Sequence, residues 1–323
     1  MLPITPLLPE VIQTLAQQAT VVLTAPPGAG KTTALPLALL KAPWLGQQRI
    51  VLLEPRRLAA RAAAQRLAEQ LGENLGLTVG LRTRLERVVS AQTRLEVLTE
   101  GVLTRQLLRD PALDGVGLVI FDEFHERSLE ADLALTLCRH ARATLELPLR
   151  VLLMSATLDG PALARWLNAP HLQTEGRSYP VQLDYLSPRG HETLLPLTLR
   201  GITQALATTA GDVLVFLPGG YEIRTLASRL GALQPELSIC PLFGDLSRLE
   251  QDRALHTDPG GRRRVVLATN IAQTSLTLAG ITAVVDSGLA RVNRFDPNTG
   301  LSALVTEPIS QASATQRAGR AGR

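Results

Sequence analysis

The chain has 323 residues, 45% of them hydrophobic and 19% charged, with a formal charge of +4. That length can bury two ordinary cores, and the composition excludes a disordered or collagen-like chain. Two cysteines exclude a disulfide framework or a cysteine zinc site, and 3% aromatic residues argue against a base-stacking platform for nucleic acid.

The opening Met1-Leu-Pro-Ile-Thr-Pro6 lacks the basic start of a signal peptide, and no stretch approaches the roughly 18 to 20 uninterrupted apolar residues of a membrane span. A cytoplasmic protein without membrane contact is expected. The first apolar run, 21–24, reads as a strand and leads into Ala25-Pro-Pro-Gly-Ala-Gly-Lys-Thr32. Lys31 is one of two lysines among 33 basic residues, so an ammonium stands here against the composition. Its compact charge on a flexible stem suits the β- and γ-phosphates of a nucleotide, where arginine's planar fork is bulkier. Gly28 and Gly30 let backbone N–H groups close around an anion, and Thr32 supplies a hydroxyl for Mg²⁺. Ala25 replaces the first glycine of the general P-loop pattern, and a plain Gly-rich turn between strand and helix is the competing account.

Further apolar runs at 50–53, 95–98, 118–121 and 151–154 continue the series of strands, spaced by helical patterns, that a parallel sheet covered on both faces requires. The run at 118–121 ends in Asp122 and Glu123. Consecutive residues at a strand end point in different directions, so Asp122 can hold Mg²⁺ through water while Glu123 orients and deprotonates the attacking water. A solvated acidic strand end is the alternative. Residues 176–180 read as a linker, and a second series of strands follows at 213–217, 237–239, 265–268 and 283–285. Alternating residues flank a turn at 296–300, which is a hairpin signal. Cys138 in a helical stretch and Cys240 in a strand-like one read as buried free thiols. The chain closes on Arg317, Arg320 and Arg323, whose spacing puts two or more on one face of a helix. A guanidinium there can neutralise charge on a transferring phosphoryl group, worth roughly 10³ to 10⁵ in rate, or can simply face solvent or nucleic-acid phosphate.

Asp122-Glu-Phe-His125 resembles the Asp-Glu-x-His motif of the DEAH-box helicases, superfamily 2 NTPases. Leu53-Glu-Pro-Arg-Arg-Leu-Ala-Ala60 resembles their motif Ia, Thr99-Glu-Gly-Val-Leu-Thr-Arg105 motif Ib and Ser155-Ala-Thr157 motif III. Leu214-Val-Phe-Leu-Pro-Gly-Gly220 resembles motif IV, Ala268-Thr-Asn-Ile-Ala-Gln-Thr-Ser275 motif V, and Gln316-Arg-Ala-Gly-Arg-Ala-Gly-Arg323 motif VI. The resemblance implies an α/β fold of two tandem RecA-like domains with mainly parallel sheets, 1–175 with motifs I to III and 176–323 with motifs IV to VI, the second cut short at its C-terminal end. It implies ATP, with other NTPs accepted, held by Gly28, Ala29, Gly30, Lys31, Thr32 and Thr33, with Arg66 covering one face of the base. Mg²⁺ would sit on Thr32, Asp122 and Glu123.

By the same resemblance Gln316 helps position the water, while Arg320 and Arg323 reach the phosphates from the second domain and Arg317 points elsewhere. His125 couples the nucleotide site to motif VI and to Ser155 and Thr157. Arg56, Arg57, Thr99, Glu100, Gly219, Thr269, Asn270 and Thr274 would line a single strand of nucleic acid, RNA in preference to DNA, with the 296–300 turn as a strand-separating hairpin. A monomer with a protein activator is expected. The activity implied is NTP hydrolysis coupled to movement along that strand. A nucleotide-dependent switch with weak ATPase and no unwinding is the alternative.

Overall fold

The computed structural model describes residues 2–26, 28–156, 160–174, 180–273, 276 and 278–321. It divides into two compact units, Met1–Arg177 and Ser178–Arg323. Unit 1 is built on strands β1 (Thr20–Thr24), β2 (Arg49–Glu54), β3 (Val79–Arg82), β4 (Arg87–Val88), β5 (Leu95–Thr99), β6 (Val116–Phe121), β7 (Arg150–Ser155) and β8 (His171–Gln173). Among the described residues they form one sheet in the order β4-β3-β5-β2-β6-β7-β1-β8, parallel except for the β3–β4 pair.

The apolar runs are continuous because both faces of this sheet are covered. Val21 and Leu23, Ile50 and Leu52, Leu118 and Ile120 enter one core with the helices Leu8–Gln17 and Arg57–Gln70. Val22, Val51, Leu53, Val119 and Phe121 enter the other with the helices Glu100–Arg109 and Leu129–Thr144. Alternate side chains thus serve opposite faces, as the two-residue period of a strand dictates. Because β1, β2, β5, β6 and β7 run parallel, the loops that follow them emerge at one end of the sheet.

Unit 2 carries β9 (Asp212–Phe216), β10 (Ser238–Leu242), β11 (Arg264–Ala268) and β12 (Ile281–Asp286), a parallel sheet in the order β10-β11-β9-β12. Its core is made by Val213, Val215, Val265 and Leu267 against Ile202 and the helix Gly220–Leu233. Two strands, β13 (Leu289–Asp296) and β14 (Leu301–Pro308), then pair antiparallel as a hairpin around the turn expected at 296–300. Cys138 and Cys240 are both buried free thiols, and burial pushes the Cys138 thiol up to about 12.

One expectation about the C-terminus is corrected. The last helix, Gln311–Ala318, stops before Arg320, so Arg317 and Arg320 do not share a helical face. Gly319, a poor helix former, closes the helix, and Arg320 N–H turns back to the Arg317 carbonyl in a tighter turn.

Candidate functional site

In unit 1 the glycine-rich loop leaves the end of β1 with Gly28 at φ +79° and Gly30 at φ +95°, conformations that favour glycine. The loop is braced from below: Ile4 N–H donates to the Ala29 carbonyl at 3.0 Å, and Thr174 Oγ1 donates to the Pro3 carbonyl at 3.1 Å. Ile4 is fully buried. A Cβ placed on Gly30 would lie 2.9 Å from Leu2 Cδ1 and 3.1 Å from Ile4 Cγ2. Beyond Thr32 the chain runs through turns into the short helix Leu35–Leu39, where Pro36 in the first turn costs no hydrogen bond.

Lys31 is 4% exposed, and Nζ donates to the carbonyls of Ala25 at 2.7 Å and Pro26 at 3.5 Å. The neighbouring Thr32 Oγ1 donates to Asp122 Oδ2 at 2.5 Å, which joins the loop after β1 to the end of β6. Asp122 Oδ1 accepts the Glu123 N–H at 2.8 Å, and Glu123 takes a left-handed φ of +50°. Burial and the adjacent Glu123 charge push Asp122 up to about 6, against the downward pull of Lys31 and the Thr32 hydroxyl. Glu123 Oε2 is buried with no hydrogen bond in place, 3.4 Å from His125 Nε2. On its other side His125 Nδ1 accepts the Ala156 N–H at 3.2 Å.

This donor set fits a nucleotide and its metal. Among the described residues no cluster of three His, Cys, Asp or Glu side chains could cage an ion. Mg²⁺ does not need one, since it keeps waters and takes one or two protein oxygens plus phosphate oxygens. Thr32 Oγ1 and Asp122 Oδ2, already in contact, are such a pair. A cation beside them would relieve the crowding of two buried carboxyl groups.

The loops after β2, β5 and β6 meet at a surface cavity lined by Pro55, Arg56, Thr99, Glu100, Gly101, Glu126, Ser128 and Glu130. Three of the predicted nucleic-acid residues, Arg56, Thr99 and Glu100, are thus brought together. Arg56 Nη2 pairs with Glu126 Oε2 at 3.0 Å, and Glu100 accepts from Ser128 Oγ at 2.5 Å. Glu100 is raised by burial and by the charges of Glu130, Glu126 and Asp132. The lining is therefore rich in carboxylates. Arg57 stands exposed at the start of its helix, and Arg66, nine residues on, is paired with Glu69 and 63% exposed.

In unit 2 Gly219 precedes the helix Gly220–Leu233, and a side chain on it would meet the Arg291 guanidinium at 2.8 Å. Thr269 and Asn270 follow the end of β11 in a short 3₁₀ turn, Asn270–Ala272. Motif VI is anchored inward. Arg317, 1% exposed, pairs with Asp286 at 2.7 Å and lies over the Phe216 ring at 4.7 Å, so it belongs to the interior of its own unit. Arg320 is 3% exposed, with Nε on the Gln273 carbonyl at 2.9 Å and Nη1 on the Leu276 carbonyl at 2.5 Å. Gln316 Oε1 accepts from Gln273 Nε2 at 3.0 Å. Thr157, Thr274 and Arg323 lie outside the described residues.

Sequence reasoning did not reach Ala156 as the partner of His125, Asp286 as that of Arg317, or Leu2 and Ile4 as the brace of the phosphate loop. Asp286 carried a usable signal, being an acid at the end of an apolar strand. The backbone N–H of Ala156 carried none.

A phosphate loop joined to an acidic strand end, on a mainly parallel α/β sheet, is the arrangement of a P-loop NTPase. The comparisons agree and are narrower. Residues 5–165 match the DEAD/DEAH box helicase family and residues 197–323 the helicase conserved C-terminal domain. The chain belongs to the DEAD/DEAH box helicases. It is 52% identical over its whole length to the ATP-dependent RNA helicase HrpB of Escherichia coli (strain K12), of which it spans 40%. It is 36% identical over 97% of its length to an ATP-dependent RNA helicase HrpA homolog of Haemophilus influenzae, of which it spans 24%. A crystal structure of the E. coli DEAH/RHA helicase HrpB superposes with a TM-score of 0.94 at 51% identity, covering the whole chain and 41% of that protein. The fold is that of two tandem α/β helicase domains with mainly parallel sheets.

Proposed function

We propose that the chain is the helicase core of an ATP-dependent RNA helicase, in which NTP hydrolysis drives movement along a single strand. The observation that carries this reading is the Thr32 to Asp122 hydrogen bond, since it puts the phosphate loop and the acidic strand end at one place. Gly28, Ala29, Gly30 and Thr33 supply the backbone of the cradle, and Lys31 turns from its carbonyl partners to the β- and γ-phosphates. Thr32, Asp122 and Glu123 would hold Mg²⁺, which would supply charge neutralisation for the phosphate oxygens. Glu123 orients the attacking water and takes its proton. His125 supports that carboxylate and links it to the Ser155 to Thr157 segment through the Ala156 N–H.

Gln316, Arg320 and Arg323 would serve the phosphates of a nucleotide, the arginines against charge that develops on the leaving phosphoryl group. The strand would be held by loops bearing Arg56, Arg57, Thr99, Glu100, Gly219, Thr269, Asn270 and Thr274. Contacts of this kind, through hydroxyls, backbone N–H groups and arginines, are indifferent to base sequence. A cytoplasmic monomer that responds to a protein activator completes the reading.

The test is the ATPase rate of the chain with and without single-stranded RNA and DNA. Stimulation by RNA above that by DNA, falling steeply with salt, is the expected outcome. A rate indifferent to either strand would leave a nucleotide switch as the better reading.

A further inference from the structure

Glu123 and Arg127 both take left-handed backbone, at φ +50° and +49°, and they bracket one turn of 3₁₀ helix, Phe124–Glu126. That conformation is disfavoured for a residue with a Cβ and persists only where the surroundings over-determine it. The hydrogen bonds of the turn act inside it. Glu126 N–H donates to the Glu123 carbonyl at 2.8 Å and Arg127 N–H to the Phe124 carbonyl at 3.2 Å, which any ordinary turn of this kind would also make.

Phe124 adds the constraint that these bonds lack. It is buried in the core that also holds Leu53, Phe121, Ala131 and Leu135. Its ring meets that of Phe121 edge to face, with centroids 6.0 Å apart and planes at 87°. The guanidinium carbon of Arg127 lies 5.6 Å from the centroid of the same ring, and Arg127 Nη2 donates to Asp132 Oδ2 at 2.9 Å in the first turn of the next helix. Upstream, Asp122 N–H is tied to the Leu53 carbonyl at 3.1 Å. With Asp122 fixed before it and Phe124 buried after it, Glu123 cannot change φ without lifting the ring from the core.

We propose that Phe124 is a positioning residue whose buried ring holds Glu123 in left-handed backbone and so fixes where its carboxylate stands. This rests on the reading of Glu123 as the group that takes the proton of the attacking water. A smaller side chain at position 124 would let the turn relax, and the carboxylate would move with it. A misplacement of about 1 Å is enough to cost on the order of 10²-fold in rate. Nucleotide binding, carried by the loop at 28–33, would be left in place.

The test is a double-mutant cycle on single-turnover ATP hydrolysis by the chain, with the Kd for ATP followed in parallel. Phe124→Ala should lower the rate at saturating ATP at least tenfold while Kd stays within threefold. In the Glu123→Gln background, where no carboxylate remains to be placed, the same change should alter the residual rate less than twofold. A purely structural role would lower the rate by one factor in both backgrounds, and that result overturns the proposal. A rate loss in Phe124→Ala matched by an equal loss of affinity overturns it too. Parental rate in Glu123→Gln removes the proton acceptor and the proposal with it, whereas a loss there beside parental rate in Phe124→Ala overturns the proposal alone. Should Phe124→Ala fail to fold, Phe124→Leu takes its place in the cycle, since it keeps an apolar side chain but offers no ring to Phe121 or Arg127. At least a fivefold loss is then expected in the parent and less than twofold beside Glu123→Gln; parental rate, or equal losses in both, overturns the proposal.

Discussion

Glu123 and Arg317 show how far one residue's surroundings decide its task. Glu123 is held by its own left-handed backbone and by the Asp122 carboxylate that accepts its N–H, with Oε2 left without a hydrogen bond. Glu123→Gln should keep nucleotide affinity within a few-fold while turnover falls by roughly 10² or more, the usual range for a positioned proton acceptor; equilibrium binding of a fluorescent nucleotide beside steady-state ATPase checks both. Arg317, one of three arginines close in sequence, is instead a structural member, closed in by Asp286, Phe216 and Gln273. Arg317→Ala should destabilise unit 2 by about 3 kcal/mol through the stranded partner of a buried pair, lowering its unfolding midpoint by roughly 10 °C. Residue types near the phosphate were legible in sequence because lysine, threonine and two acids at those spacings have few other uses. The contacts of Gln273 were not, since its partner Gln316 lies 43 positions away and only the fold brings them together.

Among elements, the phosphate loop depends on a segment far from it in function. Leu2 and Ile4 lie against Gly30, and Ile4 N–H holds the Ala29 carbonyl. Gly30→Ala would meet both side chains and would force alanine to φ +95°, so nucleotide affinity should drop at least tenfold. Ile4→Ala should produce a smaller loss of the same sign, with isothermal titration as the measurement for the pair. The central strands were legible because strands buried on both faces read as unbroken runs of valine, isoleucine and leucine. Strands β3, β4 and β8 were missed. They are two to four residues long, and Gly80, Arg87, His171 and Gln173 interrupt their apolar pattern.

At the scale of the molecule, the chain divides into two compact units, each built on a mainly parallel sheet. Base recognition is thin on the residues identified. Arg66 is 63% exposed and engaged with Glu69. ATP and GTP should therefore be hydrolysed with kcat/KM values within about tenfold, or roughly 1.4 kcal/mol, of each other, and a larger preference would point to a base contact elsewhere. The inward anchoring of Arg317 has a further meaning for how such a protein changes over generations. A descendant that gave up the proposed hydrolysis would be released from keeping Glu123 or Lys31, yet would still need Arg317, buried against Asp286 and Phe216, to hold its second unit together.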